Sequence, residues 1–261
     1  MCGAKVRGTV ARMSRDATLE QLWDTAPRTT AVFDPARVAG LPAAAQRYLL
    51  HALAPGAPLA SAVRLTMHGT IRLKASWYPF TAEQVIRWDR GFVWRATVKM
   101  HGLPITGSDR LVDGEGAMRW RMLGLVPIVT ASGPEIARSA ARRVSAEAIW
   151  LPGVLLADDV RWGEHGSHAE ALLRAHGEAS HLDLELDERG AIRTLALPRW
   201  GDPDGGGAFH YETFGGHIDE ERTFAGVTVP TQFRLGWFWG TDRFASEGEF
   251  FRATIDALEH R

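Results

Sequence analysis

From Val63 onward the chain repeats one pattern, apolar and polar residues in strict alternation, and that pattern narrows the folds open to it. Odd positions read Val63, Leu65, Met67, Gly69, Ile71 and Leu73, while even positions read Arg64, Thr66, His68, Thr70, Arg72 and Lys74. Successive side chains of a β-strand point to opposite faces, so this segment is a strand with one dry face and one wet face. The alternation returns in Phe92, Trp94, Ala96, Val98 and Met100, in Met118, Trp120 and Met122, and in Leu182, Leu184 and Leu186. One-sided strands belong to antiparallel sheets, because parallel sheets covered on both faces read as continuous apolar runs. Turn signals separate the segments at Asp89-Arg90-Gly91, Asp113-Gly114, Glu188-Arg189-Gly190, residues 202–207 and Ala225-Gly226. Their spacing predicts hairpins in a meander of about ten strands.

Helical periodicity is confined to three places. Ser14-Arg15-Asp16 precede Leu19, Leu22 and Trp23, whose spacing predicts a short amphipathic helix in an N-terminal arm over residues 1–40. A second helix is expected from Leu41-Pro42 through Tyr48, Leu49 and Leu53 to the Pro55-Gly56 stop. The third carries Ile136, Ala140 and Val144 on one stripe, with Ser132 and Glu135 spaced as a capping box. The expected architecture is mainly β: one curved antiparallel sheet, a half-barrel over residues 41–261, capped by two principal helices. No repeat or low-complexity linker divides it.

Charge and composition exclude several classes. Thirty basic against thirty-one acidic side chains give a net charge of −1, without the electrostatic footprint of a nucleic-acid binder. The single cysteine, Cys2, can form neither an internal disulfide nor a zinc–thiolate cluster. Charged residues from Lys5 to Glu20 interrupt any secretory leader, and the most apolar stretch, residues 148–157, is too short to span a bilayer. The expectation is a soluble cytoplasmic protein with no membrane-spanning segment.

A long sheet with an apolar inner face must close, fold over or be covered, and two helices cover only part of ten strands. The ten tryptophans bring large rings that leave irregular gaps. The expected consequence is a cavity lined by Leu65, Met67, Phe92, Trp94, Met118, Trp120, Leu235 and Trp237, the alternative being that these side chains fill a dry core. At about 0.8 kcal/mol per buried methylene, such a cavity could hold a hydrophobic small molecule without any recognisable motif.

A series of short motifs adds to this reading: Leu41-Pro42 with Gln46-Arg47-Tyr48-Leu49, then Trp77-Tyr78-Pro79-Phe80, Gly91-Phe92-Val93-Trp94, Val112-Asp113-Gly114, Leu123-Gly124-Leu125-Val126-Pro127, Ala131-Ser132-Gly133-Pro134-Glu135 and Ala146-Glu147-Ala148-Ile149-Trp150-Leu151-Pro152. Over residues 41–260 the run resembles an uncharacterised bacterial family of unknown function, and the resemblance implies a LolA-like fold. LolA-like proteins, the lipoprotein carriers and their relatives, have a curved half-barrel with an apolar cavity for acyl chains. The chain departs from the carriers in lacking a visible leader, and residues 216–222 are more acidic than the family's usual run before Gly226-Val227-Thr228-Val229-Pro230.

Enzyme signatures are sparse. His165 and His168 lack a third metal ligand, and Asp202 and Asp204 lack the closing glutamate of a calcium loop. There is no nucleophile elbow, phosphate-binding loop or dinucleotide fingerprint, so no cofactor is expected. Glu147 falls about 20° from Ile136 on the helical wheel, at the edge of the apolar stripe, and is the candidate general acid or base. Arg143, one turn earlier, offers it an ion pair instead. His210 and Glu212 share one strand face, with Tyr211 on the other, and Glu247 and Glu249 are expected to share a face with Phe251 and Ala253. Three functions follow: a binding protein for an acyl, isoprenoid or polyketide-like molecule; a cofactor-independent isomerase or cyclase; or an interaction module presenting Trp237 and Trp239.

Overall fold

The computed structural model describes residues 18–261. Cys2 and the Ser14-Arg15-Asp16 helix start lie outside them. Among the described residues there are three α-helices, α1 (Leu19–Asp24), α2 (Ala43–Ala52) and α3 (Pro134–Ala146). The strands of the first half are β1 (Ala62–Leu73), β2 (Ser76–Arg87), β3 (Gly91–Met100), β4 (Leu103–Val112), β5 (Glu115–Met122) and β6 (Val126–Ser132). Those of the second are β7 (Arg161–His165), β8 (His168–Ala175), β9 (Glu178–Leu186), β10 (Ile192–Gly201), β11 (His210–Phe224), β12 (Val227–Trp237) and β13 (Glu249–His260).

All thirteen strands form one antiparallel sheet in the order β6-β5-β4-β3-β2-β1-β13-β12-β11-β10-β9-β8-β7. The chain enters at the centre, meanders out to β6, crosses by α3 to the opposite edge at β7, and meanders back until β13 lies beside β1. Thirteen strands replace the ten expected, because the turns at His101-Gly102, Leu123-Gly124 and His176-Gly177 carry no ordinary turn signal. In each the first residue adopts a positive φ, 50°, 52° and 48°, followed by glycine at 82°, 72° and 87°. Both central residues of a type I′ hairpin turn need that conformation.

Helix α3 packs on β3, β4, β5 and β6 and also on β8, β9 and β10. Those strands lie on opposite limbs of the sheet, so the sheet curls around α3, and its two edge strands do not pair. Bulges at Thr66/Met67, Ile218/Glu220 and Leu235/Gly236 bend the central strands. Two glycines permit the close approach that the bend requires. A Cβ on Gly69 would lie 2.0 Å from the Arg252 carbonyl oxygen, and one on Gly216 would lie 1.9 Å from that of Arg234.

The expected capping box of α3 does not form. Pro134 takes the first helical position, so Gly133 is the N-cap and Ser132 remains the last residue of β6. Glu135 instead accepts a hydrogen bond from Trp200 Nε1. The arm helix α1 carries its own box, Thr18 with Gln21, and packs Leu19, Leu22 and Trp23 on the convex face against Val85, Val93 and Val112. Among the described residues no helix is long and apolar enough to cross a membrane.

Among the described residues, α2 and the segment after α3 cover one end of the concave face. Leu53 at the end of α2 bridges to Val227, Ala54 N donates to Gly226 O at 2.9 Å, and Trp150 Nε1 donates to Pro230 O at 3.0 Å. At that end His260 Nε2 lies 2.8 Å from Trp150 O, and burial holds its pKa below the ordinary 6.5. Burial likewise lowers that of His176. A histidine whose folded pKa is depressed contributes stability that is complete above its unfolded pKa and lost as the pH falls through it. The urea midpoint is therefore expected to be flat above about pH 7 and to decline below about pH 6.5, with His260→Gln reducing the decline. A midpoint that rose on acidification would contradict this.

Candidate functional site

Away from the covered end the inner face is less deeply buried. Along β1, β12 and β13 the inward residues pass from buried Met67, Phe233 and Ile255 to half-buried Ile71, Leu235, Trp237, Phe250 and Phe251. Their rings continue a belt across the sheet. Trp120 lies 5.7 Å from Trp94, Trp94 6.1 Å from Phe251, Phe251 6.5 Å from Phe250, Phe250 6.2 Å from Phe214, and Phe214 5.4 Å from Trp237. Phe80 stacks on Phe251 at 5.0 Å. The half-buried rings lie side by side on the concave side of the sheet, an apolar strip referred to below as the trough.

The eight side chains proposed as a lining divide in two. Leu65, Met67, Phe92, Trp94 and Trp120 are buried in the packed core. Met118, Leu235 and Trp237 are half-buried. Of the second group, Leu235 and Trp237 lie along the trough on β12, while Met118 lies on β5.

Beside the trough lies an ionic cluster assembled from four elements. Glu147, 7% exposed at the C-terminal end of α3, accepts Arg143 Nε at 2.6 Å and Gln84 Nε2 at 2.8 Å. Arg143 Nη2 also donates to Gln84 Oε1 at 3.3 Å, and its guanidinium covers the Phe92 ring at 4.5 Å. Asp109 on β4 accepts Trp120 Nε1 at 2.9 Å and lies 3.8 Å from Arg143 Nη1. Burial raises the Asp109 pKa, opposed by Arg143, the Trp120 hydrogen bond and Arg199. Its side chain retains 21% exposure, as expected of a group lining a concavity. Glu147 thus holds the cluster together through both oxygens, as the sequence spacing to Arg143 suggested.

Arg199 on β10 completes the group. Its guanidinium lies 4.8 Å over Phe214 and 5.1 Å over Trp237, and it forms no hydrogen bond or ion pair among the described residues. Burial and the neighbouring Arg143 lower its pKa to about 10, against the pull of Glu147 and Asp109, so it is a cation at neutral pH. The Trp94 indole N–H, in a residue 3% exposed, also lacks an acceptor. Leaving such a donor unsatisfied costs roughly 1–3 kcal/mol. Sequence reasoning found Glu147 and Arg143 by their i, i+4 spacing, and missed Gln84, Asp109 and Arg199.

The remaining candidates are used structurally. His165 and His168 face each other across the β7–β8 turn, and His168 Nδ1 lies 2.9 Å from Asp183. Asp202 accepts the Gly206 and Gly207 N–H groups, and Asp204 pairs with Arg243. Among the described residues no group of three potential metal ligands gathers. Tyr211 faces away from Glu212, as expected, and its hydroxyl accepts from Arg138 and Arg142 at 2.8 Å each. Glu249 does not share the face of Phe251. The bulge at Phe250 turns it to the other side, where it pairs with Arg252 and Arg234. Glu247 lies in the preceding turn, paired with Arg243.

Trp237 and Trp239 do not form an exposed patch: Trp237 packs on Phe214, and Trp239 on His217 and Phe244. The exposed apolar stretch is instead the β5–β6 hairpin and edge strand, with Leu123, Leu125, Val126, Ile128 and Val129, of which Leu125 is 78% exposed.

Comparison with known proteins gives the following. A LolA superfamily protein from Nitrosomonas europaea shares 6% identity over 84% of this chain and 92% of its own, at a TM-score of 0.42. A domain named for outer membrane lipoprotein sorting, from Vibrio parahaemolyticus, shares 8% identity over 77% of this chain and 86% of its own, at 0.41. A DUF1329 family protein from Desulfovibrio piger shares 9% identity over 77% and 86%, at 0.36. No curated protein matches the chain. The model of a family of unknown function, DUF6920, matches residues 39–260, nearly the span over which the motif run carries the resemblance, and the chain belongs to that family.

Proposed function

We propose that the chain is a binding protein for a hydrophobic small molecule, held in the trough of the concave face. The observation that carries this reading is the row of half-buried apolar side chains, Ile71, Leu235, Trp237, Phe250 and Phe251, on the side of the sheet that the fold shelters. In a dry core these side chains would be covered, as those at the α2 end are. A chain of about twelve carbons offers roughly 10 kcal/mol on burial, before several kcal/mol of association cost.

Thermal denaturation with laurate, farnesol and 1-dodecanol tests the reading. A ligand at about 100 times its Kd stabilises by roughly 2.7 kcal/mol, a rise of about 5–10 °C in Tm for a chain of this size. No shift with any of the three would favour a closed core. Catalysis on the same ligand, as an isomerase or cyclase, would draw on Asp109, the inner-face carboxyl whose pKa burial raises, rather than on the doubly engaged Glu147.

A further inference from the structure

Of the two guanidinium groups beside the trough, one is fully engaged. Arg143 reaches Glu147, Gln84 and Asp109. Arg199 reaches none of them, and Asp109 is directed toward Trp120 and Arg143 instead. Its cross-strand neighbour Glu212 turns Oε1 to the Thr213 N–H at 2.7 Å. The rings of Phe214 and Trp237 hold the guanidinium by its face. Stacking of that kind leaves the in-plane N–H donors free, and their fork matches a carboxylate. One of the stacking rings, Trp237, also lines the trough. Arg199 is half-buried, with its Nε fully enclosed and without an acceptor, and an enclosed donor of that kind is costly until a partner arrives.

Resting on the reading of the trough as a hydrophobic site, we propose that Arg199 is its headgroup subsite. It takes the carboxylate of an amphiphile whose apolar tail lies along Leu235, Trp237, Phe250 and Phe251. The ligand class is thereby narrowed from apolar molecules in general to those bearing one anionic end.

Isothermal titration of the full-length protein with laurate and with 1-dodecanol, tail-matched and differing in charge, tests the assignment. The wild type is expected to bind laurate roughly tenfold or more tightly than the alcohol, the gain of a charge-assisted hydrogen bond. Arg199→Met keeps an apolar stem over the rings and removes the charge. It is expected to abolish the preference, to leave dodecanol affinity within about twofold, and to melt no lower than the wild type, since the half-buried guanidinium has no hydrogen bond or ion pair to lose among the described residues. An Arg199→Met protein that kept the preference, or a wild type that bound both ligands equally, would overturn the headgroup subsite and leave the trough standing. Binding of neither ligand would overturn both. Carbon-13 NMR of carboxyl-labelled laurate on the wild type gives a readout independent of the variant: a bound carboxyl shift that moved with pH as the free acid does would contradict contact with Arg199.

Discussion

Arg143→Met is expected to lower stability by about 3–5 kcal/mol, because it leaves Glu147 buried without its cation. For a chain of this length that corresponds to a fall of roughly 6–20 °C in Tm, readable by circular dichroism or calorimetry. The loss has three parts in the structure. Glu147 keeps only the amide of Gln84, Gln84 Oε1 loses its donor, and the Phe92 ring loses the guanidinium that covers it. Removing both charges is a different perturbation from removing one. Arg143→Met combined with Glu147→Leu is expected to recover part of the loss, since a buried pair replaced by apolar side chains of similar volume is often close to neutral. A single variant as stable as the wild type would mean that the cluster does not tie α3 to the sheet.

Gly216→Ala is expected to cost about 3 kcal/mol or more, a large effect for one methyl group. The added carbon would lie 1.9 Å from the Arg234 carbonyl oxygen and 2.9 Å from Leu235 Cα, both backbone atoms that no rotamer change can move. The strand pair β11–β12 must separate, and with it the bend that brings the two limbs around α3. Gly206→Ala is the control, with nothing within 4 Å of the new carbon and no left-handed backbone. Urea denaturation of the two variants should separate them clearly. Equal midpoints would show that the strands part at little cost.

Much of the sheet was legible because its strands are one-sided. The alternation through Val63, Phe92, Met118 and Leu182 lies within β1, β3, β5 and β9, and the turns at Asp113-Gly114 and Ala225-Gly226 fall between strands as expected. Three hairpins were hidden because His101, Leu123 and His176 adopt the left-handed conformation that asparagine or aspartate usually signals. The strand β6 escaped because it lies at an edge with most of its side chains exposed, so Val126-Pro127-Ile128-Val129 shows no alternation.

The site was legible only where it is local. Arg143 and Glu147 are one helical turn apart, so their pairing could be read from spacing. Gln84, Asp109 and Arg199 sit on three strands far apart in sequence, each an ordinary polar residue in its own segment, and only the curl of the sheet brings them together. The same holds for the lining. Apolar type placed Trp94 and Trp237 together in one list, while position along the strands makes one core and the other trough.

Native mass spectrometry of the freshly purified protein, followed by solvent extraction and identification of whatever is released, tests the trough most directly. The expected result is an adduct that laurate displaces and that releases an apolar small molecule with one anionic end. A clean polypeptide mass, together with an unchanged Tm across laurate, farnesol and 1-dodecanol, would contradict the binding function.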